Sequence, residues 1–170
     1  MSDREARYLG LVAEYDRAIR RLAASYERDS ARQQDLVQDI WLALWQALPR
    51  FRGECSDRTF VFRVAHNRGV GHVQHWRRRH AEPLDAEAPL PDPGASPEHA
   101  ATDRQRRERL QAAVRRLPLG LRQPTVLMLE GLSHREIGDV LGITENNVAV
   151  RLTRAKAALA RDLDSSGARS

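Results

Sequence analysis

Only one cysteine, Cys55, and one lysine, Lys156, stand in this 170-residue chain. The lone cysteine excludes an intramolecular disulfide, and a cysteine-based metal site would need other ligand types. No stretch approaches the roughly 18 consecutive apolar residues of a membrane-spanning helix, and the opening MSDREARYLG lacks the apolar core of a secretion signal. A cytoplasmic protein is therefore expected. Strand-like alternation and internal repeats are missing too, so the expected fold class is all-α. Histidines are present, but among His66, His72, His75 and His80 no pair has the i, i+4 spacing of a helical zinc site. His72 and His75 lack a nearby carboxylate or thiol companion, so no metal or other cofactor is expected.

What the chain has in excess is arginine. Nearly all of its 28 basic residues are Arg, giving a net charge of +5 and favouring a polyanionic partner such as nucleic acid. Between residues 63 and 80 lie Arg63, Arg68, Arg77, Arg78 and Arg79 with no acid among them. Such a strip suits phosphate, although a charge run is also the ordinary dress of a solvated helix face.

Apolar spacings of three and four predict helices. The first runs from Tyr8 to Tyr26. The second, over 33–48, turns Leu36, Val37, Ile40, Trp41, Leu44 and Leu48 inward and ends at Pro49; Trp45 lies off that stripe. Residues 50–56, RFRGECS, are too polar and broken to continue it. A third helix runs from about Asp57 to Arg79, weakened locally by Gly69 and Gly71. Residues 81–103 carry five prolines and six acids, a composition that buries no core and predicts an extended linker. Two small helical domains, 1–80 and 104–164, are expected to flank it, with a disordered tail at 165–170. In the second domain Leu110, Val114 and Leu117 lie on one helix and Val126, Leu127 and Leu129 on the next, with Pro124 in its first turn.

Residues 132–163 read as two short helices joined at Gly142. Ser133 and Glu136 form a capping box, and Thr144 can cap the second helix. Val148, Leu152, Ala155, Leu159 and Leu163 give that helix a buried stripe, while Asn147, Arg151 and Arg154 share another face. This pattern suits a helix-turn-helix inserted into the major groove; a helical hairpin with a solvated charged face is the plainer alternative.

The order of these parts is more specific than any one of them. The segments DLVQDIWLALWQALPRFRGE (35–54), RTFVFRVAHNRGVGHVQHWRRR (58–79) and LPLGLRQPTVLMLEGLSHREIGDVLGITENNVAVRLTRAKAAL (117–159) resemble the extracytoplasmic-function group of sigma-70 family sigma factors. That resemblance implies a subunit directing core RNA polymerase to promoters through two domains, region two and region four, without small-molecule substrate. It implies polymerase docking through Asp35, Gln38 and Asp39, with Trp45 available to core or interface. By position, Phe51, Arg52, Gly53, Glu54 and Asn67 would capture a base flipped from the minus-ten element. Arg63, Arg68, Arg77, Arg78 and Arg79 would hold phosphates, and Trp76 would stack on a base or pack. In region four, Asn146, Asn147, Arg151, Arg154 and Lys156 would meet the minus-thirty-five element. Two departures stand out. Ala149 and Val150 occupy a place where relatives commonly carry Lys or Arg followed by Ser, and Phe60 replaces a usual tryptophan. Members are often held by an anti-sigma factor, and their linkers lie in a basic polymerase channel; simple solvation of the six carboxylates is the alternative for this linker.

Two other functions compete. A free-standing helix-turn-helix regulator would use the C-terminal module but has little use for residues 33–79. A DNA-processing enzyme would need a catalytic Ser, Tyr or metal-bound carboxylate cluster, and none can be assembled from the sequence.

Overall fold

A computed structural model describes residues 2–80 and 100–167, and every regular element among them is helical. Helix α1 (Asp3–Tyr26) begins five residues before its apolar run, because Ser2 and Glu5 close a capping box ahead of it. The Asp29 carboxylate accepts from the Arg32 N–H at 2.9 Å and starts α2 (Ser30–Ala47). Pro49 falls in a 3-10 turn, Leu48–Arg50, that ends this helix. The Ser56 hydroxyl accepts from the Thr59 N–H at 3.1 Å where α3 (Asp57–His80) opens.

Helices α1, α2 and α3 pack on one another. Their core holds Leu11, Ile19, Leu22, Leu36, Ile40, Leu44, Val61 and Phe62. Gly69 is required within α3: a Cβ there would lie 2.8 Å from Cδ2 of the Tyr26 ring. His66, one turn earlier, is a core residue whose Nδ1 lies 3.2 Å from the Tyr26 hydroxyl. Burial pushes its imidazole down to about 4, so it stays neutral near pH 7.

The second half comprises α4 (Ala100–Arg116), α5 (Leu119–Leu129), α6 (His134–Leu141) and α7 (Glu145–Gly167). Residues 100–103, expected in the linker, already belong to α4, and residues 165–167, expected in a disordered tail, belong to α7. The rest of the expected linker, 81–99, and of the tail, 168–170, lies outside the described residues. Helix α5 starts after Pro118, so Pro124 sits in its interior and not its first turn. Leu129 is exposed, and Leu132, just past the turn, is buried in its stead. In α7, Val148 and Ala155 are buried, Leu152 and Leu159 partly so, and Leu163 is exposed.

The halves are not held apart. Helix α3 packs on α5 and α6, and α1 packs on α4 and α5. Arginines of the first half grip the α5–α6 turn and α6 itself. Arg21 makes a two-point ion pair with the Glu130 carboxylate at 2.6 and 2.9 Å. Arg58 donates to the Glu130 carbonyl at 2.8 Å, and Arg63 to the Asp139 carbonyl at 3.0 Å. In return Arg115 donates to the Ala24 carbonyl at 2.8 Å.

Candidate nucleic-acid interface

Three surfaces gather the functional side chains named from the sequence. The first is the outer face of α2, where Asp35, Gln38 and Asp39 are all exposed. Leu42, three residues past Asp39, extends this face and is 55% exposed. Its helical spacing could have revealed it. Trp45 is half-buried instead: the Arg4 guanidinium lies 3.7 Å from its ring centroid and Tyr8 packs edge-on at 5.2 Å. Trp41 is core, and its indole N–H donates to Asp16 at 3.3 Å.

The second surface lies between α2 and α3. An open groove of about 620 Å³ is lined by Asp39 on one side and by Asn67, Arg68, His72 and His75 on the other, over Leu36, Ala43 and Val64. Folding thus brings Asp39, one member of the acidic face of α2, beside Asn67 and Arg68, which the sequence assigns separate roles. The 51–54 loop is adjacent in sequence but does not line this groove. Within it Arg52, Gly53 and Glu54 are exposed, and Gly53 has φ of 76°, a backbone conformation that favours glycine. Phe51 stacks on the buried Phe60 ring with centroids 4.2 Å apart. Phe60 therefore anchors one end of the loop, a packing role for the residue that departs from the usual tryptophan.

The basic strip on α3 divides. Arg68, Arg78 and Arg79 are exposed, whereas Arg63 is bound to the Asp139 carbonyl. Arg77 lies half-buried beside Arg122, whose guanidinium is pushed down to about 10, first by burial and then by like charge from Arg77 and Arg115. Trp76 is engaged by Arg32, 4.0 Å from its ring centroid, and by the stacked His80 ring at 3.7 Å. Arg32 is fixed in turn by Glu27, which also takes a 2.8 Å hydrogen bond from His72. Burial alone would raise the Glu27 carboxyl, but the bonds from His72, Arg32 and the Asp29 backbone hold it below its ordinary value. Sequence spacing gave no sign of this Glu27–Arg32–Trp76 assembly, because it joins three elements. Among the described residues, no three His, Cys, Asp or Glu side chains are grouped to hold a metal ion.

The third surface is α7. Ser133 and Glu136 form the capping box of α6, and Gly142 ends that helix with φ of 69°. The Thr144 hydroxyl accepts from the Asn147 N–H at 3.2 Å, which starts α7. Asn146, Asn147, Arg154 and Lys156 are exposed. Arg151 is held at two points. Its Nε donates to Asn147 Oδ1 at 2.8 Å, and its Nη1 reaches the Gly120 carbonyl at 3.5 Å. Pro124, four residues past Gly120, has no N–H to give that carbonyl. A helix presenting amide and guanidinium groups outward over a buried stripe can bond base edges and phosphates in a major groove.

Comparison with known proteins agrees with this geometry. Residues 11–81 match the family model for sigma-70 region 2, and residues 107–159 match that for sigma-70 region 4. The chain is 31% identical over 162 residues to the RNA polymerase sigma factor NccH of Alcaligenes xylosoxydans, covering 92% of this chain and 86% of that one. It is 28% identical to the ECF RNA polymerase sigma-E factor of Escherichia coli K12, covering 88% and 82% respectively. Among solved structures it resembles CnrH in complex with the cytosolic domain of CnrY, at 26% identity and a TM-score of 0.71 over 95% of this chain and 90% of that chain. The fold is also that of the sigma factor RpoE of Bartonella quintana, solved with the anti-sigma factor NepR, at a TM-score of 0.69, 18% identity and coverage of 96% and 98%. With both regions matched in order and a relative this similar over most of its length, the chain belongs to the ECF group of sigma-70 family RNA polymerase sigma factors.

Proposed function

We propose that residues 1–80 dock on core RNA polymerase and handle minus-ten DNA while the second half, from α4 onward, reads the minus-thirty-five element, with residues 81–99 as linker. The observation that carries this reading is the α2–α3 groove, because its α2 wall carries Asp39, at the edge of the acidic face, and its α3 wall holds Asn67 and Arg68. A free-standing regulator needs only α6 and α7. In this reading Asp35, Gln38, Asp39 and Leu42 meet the polymerase, where an apolar residue among acids suits the mixed character of interface contacts. Arg52, Gly53, Glu54 and Asn67 face the flipped base, Phe51 supports that loop, and Arg68, Arg78 and Arg79 hold backbone phosphates. Arg63 joins them once released from the Asp139 carbonyl, and half-buried Arg77 once clear of Arg122. Trp45 and Trp76 serve chiefly as packing supports. On α7, Asn146, Asn147, Arg151 and Arg154 address bases and Lys156 a phosphate.

The chain works by recognition and strand capture and is itself no enzyme. Its place is the cytoplasm, with core polymerase; no helix among the described residues is long and apolar enough to cross a membrane. The likeness to CnrH, solved in complex with the cytosolic domain of CnrY, supports a further protein partner, and an anti-sigma factor is the partner proposed. The test is a reconstituted holoenzyme on a cognate promoter. Asn67→Ala and Arg52→Ala should reduce strand opening, read by permanganate reactivity of unpaired thymines, more than closed-complex binding. Equal losses in both, or none in either, would remove these residues from base capture.

A further inference from the structure

Val150 is 42% exposed on α7. Asn146, Val150 and Arg154 recur every four residues and Thr153 follows Val150 by three, so the four occupy one strip of the helix. The strip is polar at both ends and apolar in the middle. The Thr153 hydroxyl donates to the Ala149 carbonyl at 3.0 Å, so its polar atom is used inside the helix and its methyl is what it offers outward. Among the described residues α7 packs only on α4, α5 and α6, which leaves this strip clear of the first half of the chain.

Helix stability gives no reason for a valine here. A β-branched side chain on an exposed helical position loses rotamer freedom, gains little burial, and favours the helix less than alanine or arginine does. A ligand does give one. In the major groove the apolar feature carried by a base edge is the C5 methyl of thymine, and flanking Asn and Arg groups address adenine and guanine.

We infer that Val150, with the Thr153 methyl beside it, is a specificity-determining residue that contacts thymine methyl groups in the minus-thirty-five element. The inference rests on the promoter-reading role of α7 given above. It accounts for a departure from relatives that carry a polar residue at this place: the chain exchanges a hydrogen bond for a methyl contact and so shifts the preferred promoter at that position toward thymine.

The test uses the full-length protein with core polymerase. Promoters are selected from a library randomised at the minus-thirty-five element, and each selected thymine is then replaced singly by deoxyuracil, which removes only the methyl group. Wild-type holoenzyme should lose about three- to fivefold in promoter binding at one or two of these positions, the size expected for one buried methyl. Holoenzyme carrying Val150→Ala should bind thymine and uracil there equally. Wild-type indifference to every replacement overturns the inference, as does a Val150→Ala penalty equal to wild type. Failure to initiate from any library member would overturn the promoter-reading role itself, an outcome distinct from methyl-indifferent initiation.

Discussion

Gly69 and Gly71 lie two residues apart on α3, and their surroundings give one substitution opposite outcomes. At Gly69 a Cβ would meet the Tyr26 ring at 2.8 Å, and that ring is itself pinned by His66. Gly69→Ala should therefore destabilise the protein by about 1–3 kcal/mol, the usual cost of overpacking a core. Nothing lies within 4 Å of a Cβ at Gly71. There the same change should stabilise by roughly 0.5–1 kcal/mol, because alanine restricts the unfolded chain and favours the helix. Thermal or denaturant unfolding of the two variants measures both, and a shared sign would contradict this packing. From sequence, both glycines looked like weak points in a helix. Only the position of Tyr26, more than forty residues earlier, separates them.

At the scale of elements, what was legible was what is local. The capping box of α6, the left-handed Gly142 and the Thr144 cap each depend on residues within one turn, and each stands as read. The capping interaction gives a prediction: Ser133→Ala should lower stability by about 1 kcal/mol by leaving the Glu136 N–H without its hydroxyl acceptor. A calorimetric scan measures it, and an unchanged transition would contradict it. Pro124 was misplaced because Pro118 supplies the start of α5, and the interior proline is accommodated where Arg151 approaches the Gly120 carbonyl. Leu129, expected on the buried side, is exposed, and Leu132 is buried instead. The positive φ of Gly131 turns the chain between them, and apolar spacing alone does not count that turn. The acidic face of α2 was readable, and helical spacing places Leu42 on it as well, but an apolar residue is assigned inward by default and so goes uncounted there.

At the scale of the molecule, the packing of the halves was not legible at all. Composition marked 81–103 as a linker, and a linker says nothing about whether its two ends meet. Most of the contacts that join the halves are arginines of the first half donating to the α5–α6 turn and to α6; of these, Arg63 reads from sequence simply as part of a basic strip, and nothing in the spacing of Arg21 or Arg58 marks them as bridging the halves. Packed, a chain of this length is about 40 Å across. Two promoter elements some 25 base pairs apart are separated by about 85 Å of B-form DNA. In the proposed role the packed arrangement and simultaneous reading of both elements exclude each other, so the prediction is that the grip on Glu130 and Asp139 is released when promoter DNA is engaged. A donor and an acceptor dye at the exposed positions Arg17 and Ala160, in a Cys55→Ser background, should report a short distance in the free protein and a much longer one in holoenzyme. An unchanged distance would mean that the halves stay together throughout.

The most direct measurement of the central claim is the mapping of transcript starts in a reaction containing core RNA polymerase, a promoter library and this protein. The account predicts that the protein binds the core enzyme and that starts cluster downstream of one shared pair of elements and vanish when the protein is left out; failure to bind core polymerase, or starts that do not depend on the protein, would contradict it.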